Sequence, residues 1–277
     1  MARPYRRHPY RDVAYLLNTR PGPLHHRPLA FAHRGADPRR ENTMGAFRRA
    51  VELGFRYLEV DVRTCADGTL VVFHDEELDR TTTGSGPVSE KTWEELAGLR
   101  VGAEGELAEP MVRFEELLSA FEDVHLNVDL KDAAAVEEFV RLIEKHQAHD
   151  RVLAASFNDA RRHHVRRRLT RPIATSGGWT VTALLVLLGP LGLLGRLTGR
   201  LTEIDCVQVP ISQGRLRVVT PRFVQRCHRA GLQVHVWVVD DPRQMHELLD
   251  MGVDGLMTDD AEALAEVMRE RSVWPQR

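Results

Sequence analysis

"EVDVRTCADGTLVVFHD", residues 59–75, sets two carboxylates one residue apart, then a turn, then a histidine beside an aspartate. Strand side chains alternate with period two, so a strand over 57–64 puts Glu59 and Asp61 on one face. An apolar strand seldom turns two acids inward, because an unpaired buried charge is costly. The pair therefore asks for a shared cation. "CADG" is too short for a crossover between parallel strands, which takes about a dozen residues, whereas Asp67-Gly68 is a hairpin signal. Strands 57–64 and 69–75 are thus expected to run antiparallel, which brings His74 across from Glu59 and Asp61.

Outward from this hairpin, strand-like runs alternate with amphipathic helical ones. Further strands are expected at 29–35, 125–131, 151–157, 172–176, 205–211, 233–240 and 254–259, with helices at 43–54, 134–146, 241–252 and 261–270. Such alternation implies parallel strands with helical crossovers. Counting 57–64 and 69–75 gives nine runs, one more than a (β/α)8 barrel holds, and the antiparallel hairpin resolves part of this mismatch. The expected fold is α/β: a single irregular (β/α)8 TIM barrel over residues 29–277 behind an N-terminal arm, 1–28. A β-hairpin replaces one crossover, and an apolar insertion lies around 181–195.

Hydrophobic residues make up 43% of the 277, charged residues 28%, and the formal charge is -2. That is an ordinary soluble balance and does not point to nucleic acid. Cys65, Cys206 and Cys227 are odd in number and far apart, which gives no disulfide framework and makes a cytoplasmic location the expectation. The arm has arginines (Arg3, Arg6, Arg7, Arg11) but no apolar run of signal-peptide length; it reads as solvated, with contact to anionic lipid as the alternative. "RRHHVRRRLTR" (161–171) reads as an exterior helix paired with acids. "VTALLVLLGPLGLLG" (181–195) is shorter than the ~20 residues that span a bilayer and contains Pro190. It is either an outer helix with one buried face or a lip formed by Leu184, Leu185, Leu187 and Leu188. Such a lip would be covered by a partner subunit, a lipid chain or the membrane surface.

In barrels the reactive residues sit where strands end. His33-Arg34 ends the first strand, and Asp129 and Lys131 end "NVDLK". Glu59, Asp61 and Asp129 form an all-oxygen set suited to one hard divalent cation, Mg2+ or Ca2+. Each acid alone is explained as well by an arginine on the barrel exterior; three of them beside two histidines favour a site. His33 and His74 can serve as general acid and base near neutral pH. Arg34 offers a fork that matches phosphate and Lys131 a point charge, so the set describes a site for a phosphate ester.

"AHRG", "ENT" followed by "AF" and "A", "EVDV", "DGTLVVFHD", "LDRTTTGSGPV", "NVDLK" and "GVDGLMTD" together resemble the glycerophosphodiester phosphodiesterases, over about residues 29–270. The resemblance implies an irregular TIM barrel that cleaves glycerophosphodiesters to glycerol 3-phosphate and an alcohol. It implies His33 and His74 as the acid/base pair, Arg34 and Lys131 on the phosphate, and Glu59, Asp61 and Asp129 as metal ligands. The family more often has glutamate at the position of Asp129. Glu41, in "ENT", is expected to support the site from behind or to cap the next helix. Trp237 is expected at the mouth against the glycerol or leaving group, or in the core. Two alternatives keep the same fold: lysophospholipase D action on lysophospholipids, and an inactive barrel that binds head groups. The expected partner is a small-molecule phosphodiester, with peripheral membrane contact or self-association through 181–195.

Overall fold

The computed structural model describes residues 14–16, 27–102, 108–188 and 203–276. Eight strands run parallel: β1 (Leu29–Ala32), β2 (Tyr57–Thr64), β5 (His125–Leu130), β6 (Val152–Ala155), β7 (Ala174–Gly177), β8 (Cys206–Val209), β9 (Gln233–Val236) and β10 (Gly255–Thr258). Each pairs with the next, and β1 pairs with both β2 and β10, so the barrel closes. The ninth strand, β3 (Leu70–Val72), pairs antiparallel with β2, Val62 facing Val72 and Thr64 facing Leu70. A short β4 (Val112–Arg113) extends the ribbon from β3. The barrel departs from strict alternation between β2 and β5, where the antiparallel ribbon comes before the chain crosses back to β5.

Helices fill the remaining connections: α1 (Met44–Leu53), α2 (Trp93–Ala97), α3 (Phe114–Ala120), α4 (Ala135–Lys145), α5 (Asp159–Arg168), α6 (Trp179–Leu188), α7 (Pro221–Arg229), α8 (Pro242–Asp250) and α9 (Ala261–Glu270). Their starts are fixed by side chains that satisfy free N–H groups. Thr43, Thr220, Asp241 and Asp260 each accept from the first turn of the helix they precede. In α4, Val136, Phe139, Leu142 and Ile143 recur at helical spacing and are buried against the barrel.

Between strands and helices lies one continuous apolar core. A second cluster fills the barrel interior with Phe31, Tyr57, Leu153, Cys206 and Met257. Gly255 makes room for it: a Cβ there would stand 2.8 Å from Phe31 and 2.9 Å from His235. The arm contributes more than its sequence suggests. Tyr15 is buried in this inner cluster, its ring edge-on to Tyr57 and His125, and its carbonyl accepts from the Tyr57 hydroxyl. Arg3, Arg6, Arg7 and Arg11 lie outside the described residues.

Three outer features bear on the sequence expectations. α5, the basic run, pairs Arg166 and His163 with Glu203 and Arg168 with Glu137. α6 covers the first part of the apolar stretch and follows directly on β7; 189–195 lies outside the described residues. Val181 and Leu185 of α6 are buried and Leu184 is half-buried, so the four-leucine lip is corrected. Of those four, Leu187 is the one seen exposed, and the side chain of Leu188 is not described. No helix among the described residues is long and apolar enough to cross a membrane.

Candidate active site

The parallel register of β2 and β5 sets Glu59 beside Asn127 and Asp61 beside Asp129. All four are buried and line one cavity at the C-terminal end of the strands, together with His33, Arg34, His74, Lys131 and Trp237. The nine site residues taken from the sequence divide into eight that line this cavity and Glu41, which stands behind it.

β1 ends in a tight turn over His33–Gly35. Arg34 has φ 51° and Gly35 φ 88°, both left-handed, and a Cβ on Gly35 would come within 2.7 Å of the Ala46 Cβ. Holding a non-glycine residue left-handed costs on the order of 1–3 kcal/mol, so surrounding bonds must fix it. They do. The Arg34 N–H donates to Glu59 Oε2 at 3.2 Å, its Nη1 donates to Glu41 at 3.0 Å, and its Nε lies 3.1 Å from Asp61.

Each histidine is held by an aspartate. His33 Nδ1 donates to Asp259 Oδ1 at 2.7 Å, leaving Nε2 3.9 Å from Glu59. His74 Nδ1 donates to Asp75 Oδ1 at 2.6 Å. Behind it, Arg80 spans two acids, with Nε donating to Asp75 at 2.5 Å and Nη2 to Glu41 at 2.6 Å. Glu41 therefore ties Arg34 to Arg80, and the α1 cap belongs to Thr43. Asn42 donates to Asp61 Oδ2 at 3.0 Å.

Asp61 is gripped hardest. Lys131 Nζ stands 2.8 Å from Asp61 Oδ1 and 2.7 Å from Asp129 Oδ2. Burial alone would raise the Asp61 carboxyl, but Lys131 and Arg34 outweigh it and hold it below the usual carboxylate range. Glu59 goes the other way: burial first, then the Asp61 charge, push its carboxyl up. Burial would lower His33, yet the Asp259 hydrogen bond and Glu59 raise it above an ordinary histidine. His74 is lowered, by burial first, with Lys131 and Arg34 adding to it against Asp61 and Asp75. Two imidazoles in one cavity are thus biased in opposite directions, as acid/base pairs are.

The oxygen-donor set suits a hard cation. Asp129 Oδ1 is buried with no hydrogen-bond partner among the described residues, and three acids outnumber the two fixed cations. In the arrangement seen, the Lys131 ammonium takes the place between Asp61 and Asp129, and no three His, Cys, Asp or Glu side chains among the described residues close into a chelating group.

Sequence reasoning alone did not single out Asp259, Arg80, Asn42, Phe157 or Trp179. Three had a signal: Arg80, Asn42 and Asp259 all sit within the quoted motifs, and Asp259 closes a strand, where barrel sites form. Phe157 and Trp179 could have been found as aromatic residues just after strands β6 and β7.

Comparison with known proteins agrees with this geometry. Residues 33–263 match the model of the glycerophosphoryl diester phosphodiesterase family. A probable glycerophosphodiester phosphodiesterase 2 of Mycobacterium tuberculosis is 41% identical over 248 residues, 89% of this chain and 92% of that protein. A glycerophosphodiester phosphodiesterase of Caldanaerobacter subterraneus is 30% identical, covering 87% of this chain and 98% of that one. Among solved structures, an Oleispira antarctica phosphodiesterase in complex with the product sn-glycerol-3-phosphate superposes with TM-score 0.74 at 23% identity, over 87% of this chain and 97% of that one. A putative glycerophosphoryl diester phosphodiesterase from Silicibacter pomeroyi gives 0.76 at 22% identity, over 94% and 98% of the two chains. The closed eight-strand barrel, the family model and these relatives agree, and the chain belongs to the glycerophosphoryl diester phosphodiesterase family of phosphodiester-hydrolysing enzymes.

Proposed function

We propose that the protein hydrolyses glycerophosphodiesters to sn-glycerol 3-phosphate and an alcohol by acid/base catalysis with His33 and His74. The observation that carries this reading is the pair of Asp-backed imidazoles, at 2.7 and 2.6 Å, facing one cavity that also holds Arg34 and Lys131. Arg34 and Lys131 bind and orient the phosphate. One histidine removes the proton of the substrate's own 2-hydroxyl, whose oxygen bonds to phosphorus. The other gives a proton to the alcohol oxygen as its bond to phosphorus breaks. Water then opens the cyclic phosphate with the roles reversed. Holding the hydroxyl against phosphorus is worth about 7–11 kcal/mol in well-oriented intramolecular reactions. Asp259 and Asp75 fix each ring so that Nε2 is the working nitrogen, and Trp237 packs against the glycerol.

The donor set fits a divalent cation, Mg2+ or Ca2+, held by Glu59, Asp61 and Asp129. When bound, it would neutralise a non-bridging phosphate oxygen and acidify the attacking hydroxyl. The test is release of glycerol 3-phosphate from glycerophosphocholine by the purified protein with either metal added. Absence of turnover with both metals would remove the assignment.

A further inference from the structure

Two polar side chains of the cavity take no part in binding phosphate or moving protons. Asn127 of β5 and Gln208 of β8 line it and carry no charge. Asn127 is 1% exposed, yet its Oδ1 has no hydrogen-bond partner among the described residues. Burial strips a carbonyl oxygen of water, so leaving it unpaired is costly, and this one calls for a donor from outside the chain.

Gln208 is turned by the groups behind it. His235, its register partner on β9, is fully buried, and burial pushes its imidazole down to about 4, so the ring is neutral and carries one proton. Its Nε2 lies 2.9 Å from Gln233 Oε1, which can only accept, so the proton sits on Nε2. Nδ1 is then an acceptor and takes the Gln208 Nε2–H at 3.4 Å. With its nitrogen held there, the half-buried Gln208 keeps Oε1 for the cavity. Phe157, stacked on Trp179 at 5.8 Å and edge-on to Trp237 at 6.0 Å, walls the same cavity without adding an acceptor.

We propose that Asn127, with Gln208 as a second acceptor, binds the free terminal hydroxyl of the substrate's glycerol and selects for a glycerol that is unsubstituted there. The proposal rests on the phosphodiesterase reading above and adds what discriminates among its substrates. The 2-hydroxyl is consumed in the attack on phosphorus, so the terminal hydroxyl is the remaining donor on the glycerol. Its proton goes to the buried Asn127 Oδ1, and Gln208 Oε1 is the other neutral oxygen toward which it can turn. An ester or ether at that position removes the proton, leaves a buried acceptor unpaired and is rejected.

The test compares kcat/KM on three esters of phosphocholine. One is glycerophosphocholine. The second is its propane-1,2-diol analogue, which keeps the attacking 2-hydroxyl but lacks the terminal one. The third is the terminal methyl ether, which keeps that oxygen without its proton. Glycerophosphocholine should exceed both by at least about tenfold. Asn127→Ala should cut the glycerol ester far more than the propanediol ester, so that their ratio falls toward one. Gln208→Met, at the more open site, should lower the ratio less. Equal rates on the three esters overturn the proposal, as does a Gln208→Met ratio equal to wild type. An Asn127→Ala loss that is the same for all three also overturns it, and would make Asn127 a partner of Glu59 or of the cation. If no ester is turned over, the phosphodiesterase reading fails and calorimetry decides the subsite alone. There sn-glycerol 3-phosphate should bind at least about tenfold more tightly than propane-1,2-diol 1-phosphate, and equal affinities overturn the proposal.

Discussion

On one side of the barrel mouth, β1, β2 and β5 end in His33, Arg34, Glu59, Asp61, Asp129 and Lys131; on the other, β6, β7, β8 and β9 end in Phe157, Trp179, Pro210 and Trp237. The same strand–loop–helix unit builds both halves. Charge is what sets them apart. A buried charge needs partners, so the first half is knitted into a continuous network from Asp75 through Arg80, Glu41, Arg34 and Asp61 to Lys131 and Asp129. Aromatic rings need none, so the second half is open and carries no ionic network among the described residues. The β2–β3 hairpin lies on the charged side, because it is what delivers His74, Asp75 and Arg80.

The largest effect that separates the halves should come from removing the cation. Excess chelator and then dialysis should abolish turnover, and Mg2+ or Ca2+ should restore it; full activity without metal would mean that Lys131 and Arg34 suffice to balance the acids. Next, His33→Ala and His74→Ala should each lower kcat by about 10²–10⁴ while the melting temperature stays near wild type. Retention of more than half the activity by either would end its catalytic role.

Smaller effects test how the network tunes the histidines. His74 is lowered and His33 raised, so kcat/KM should be bell-shaped, with the acid limb below and the alkaline limb above the ordinary histidine value of about 6.5. Asp259→Ala removes the strongest group raising His33, so its pKa falls and the alkaline limb moves to lower pH. An unmoved limb, with activity merely reduced, would make Asp259 structural. Smallest of all, Asp129→Glu lengthens the side chain by one methylene and should leave turnover within about threefold, whereas a loss as deep as that of Asp129→Ala would show a site built around the shorter acid.

The barrel was legible because its signals are local. Period-two strands, helical spacing in α4 and α9 and the impossibility of a crossover in four residues all lie within short windows. The site was legible in part for the same reason: Glu59 and Asp61 report their shared face directly. What stayed hidden depends on three-dimensional neighbours. Nothing near Asp259 in the chain points to His33, and the Phe157–Trp179 pair forms only because β6 and β7 lie side by side. α6 was ambiguous because an outer helix with an apolar outward face breaks the usual pattern of one buried stripe. Tyr15 was missed because a single aromatic in a basic arm has no periodicity to declare it.

His33 and Asp259, whose side chains meet at 2.7 Å, are 226 residues apart in the chain. They come from β1 and the end of β10, the two strands whose pairing shuts the barrel. During synthesis, a nascent chain can complete β2, its hairpin and most of the acid network while His33 still lacks the group that holds its ring. Contacts of such sequence separation form slowly, because loop closure must precede them. Recovery of activity after dilution from denaturant should therefore track the slowest structural phase, behind the return of helix content, and the first turnover would time the moment the ring of strands closes.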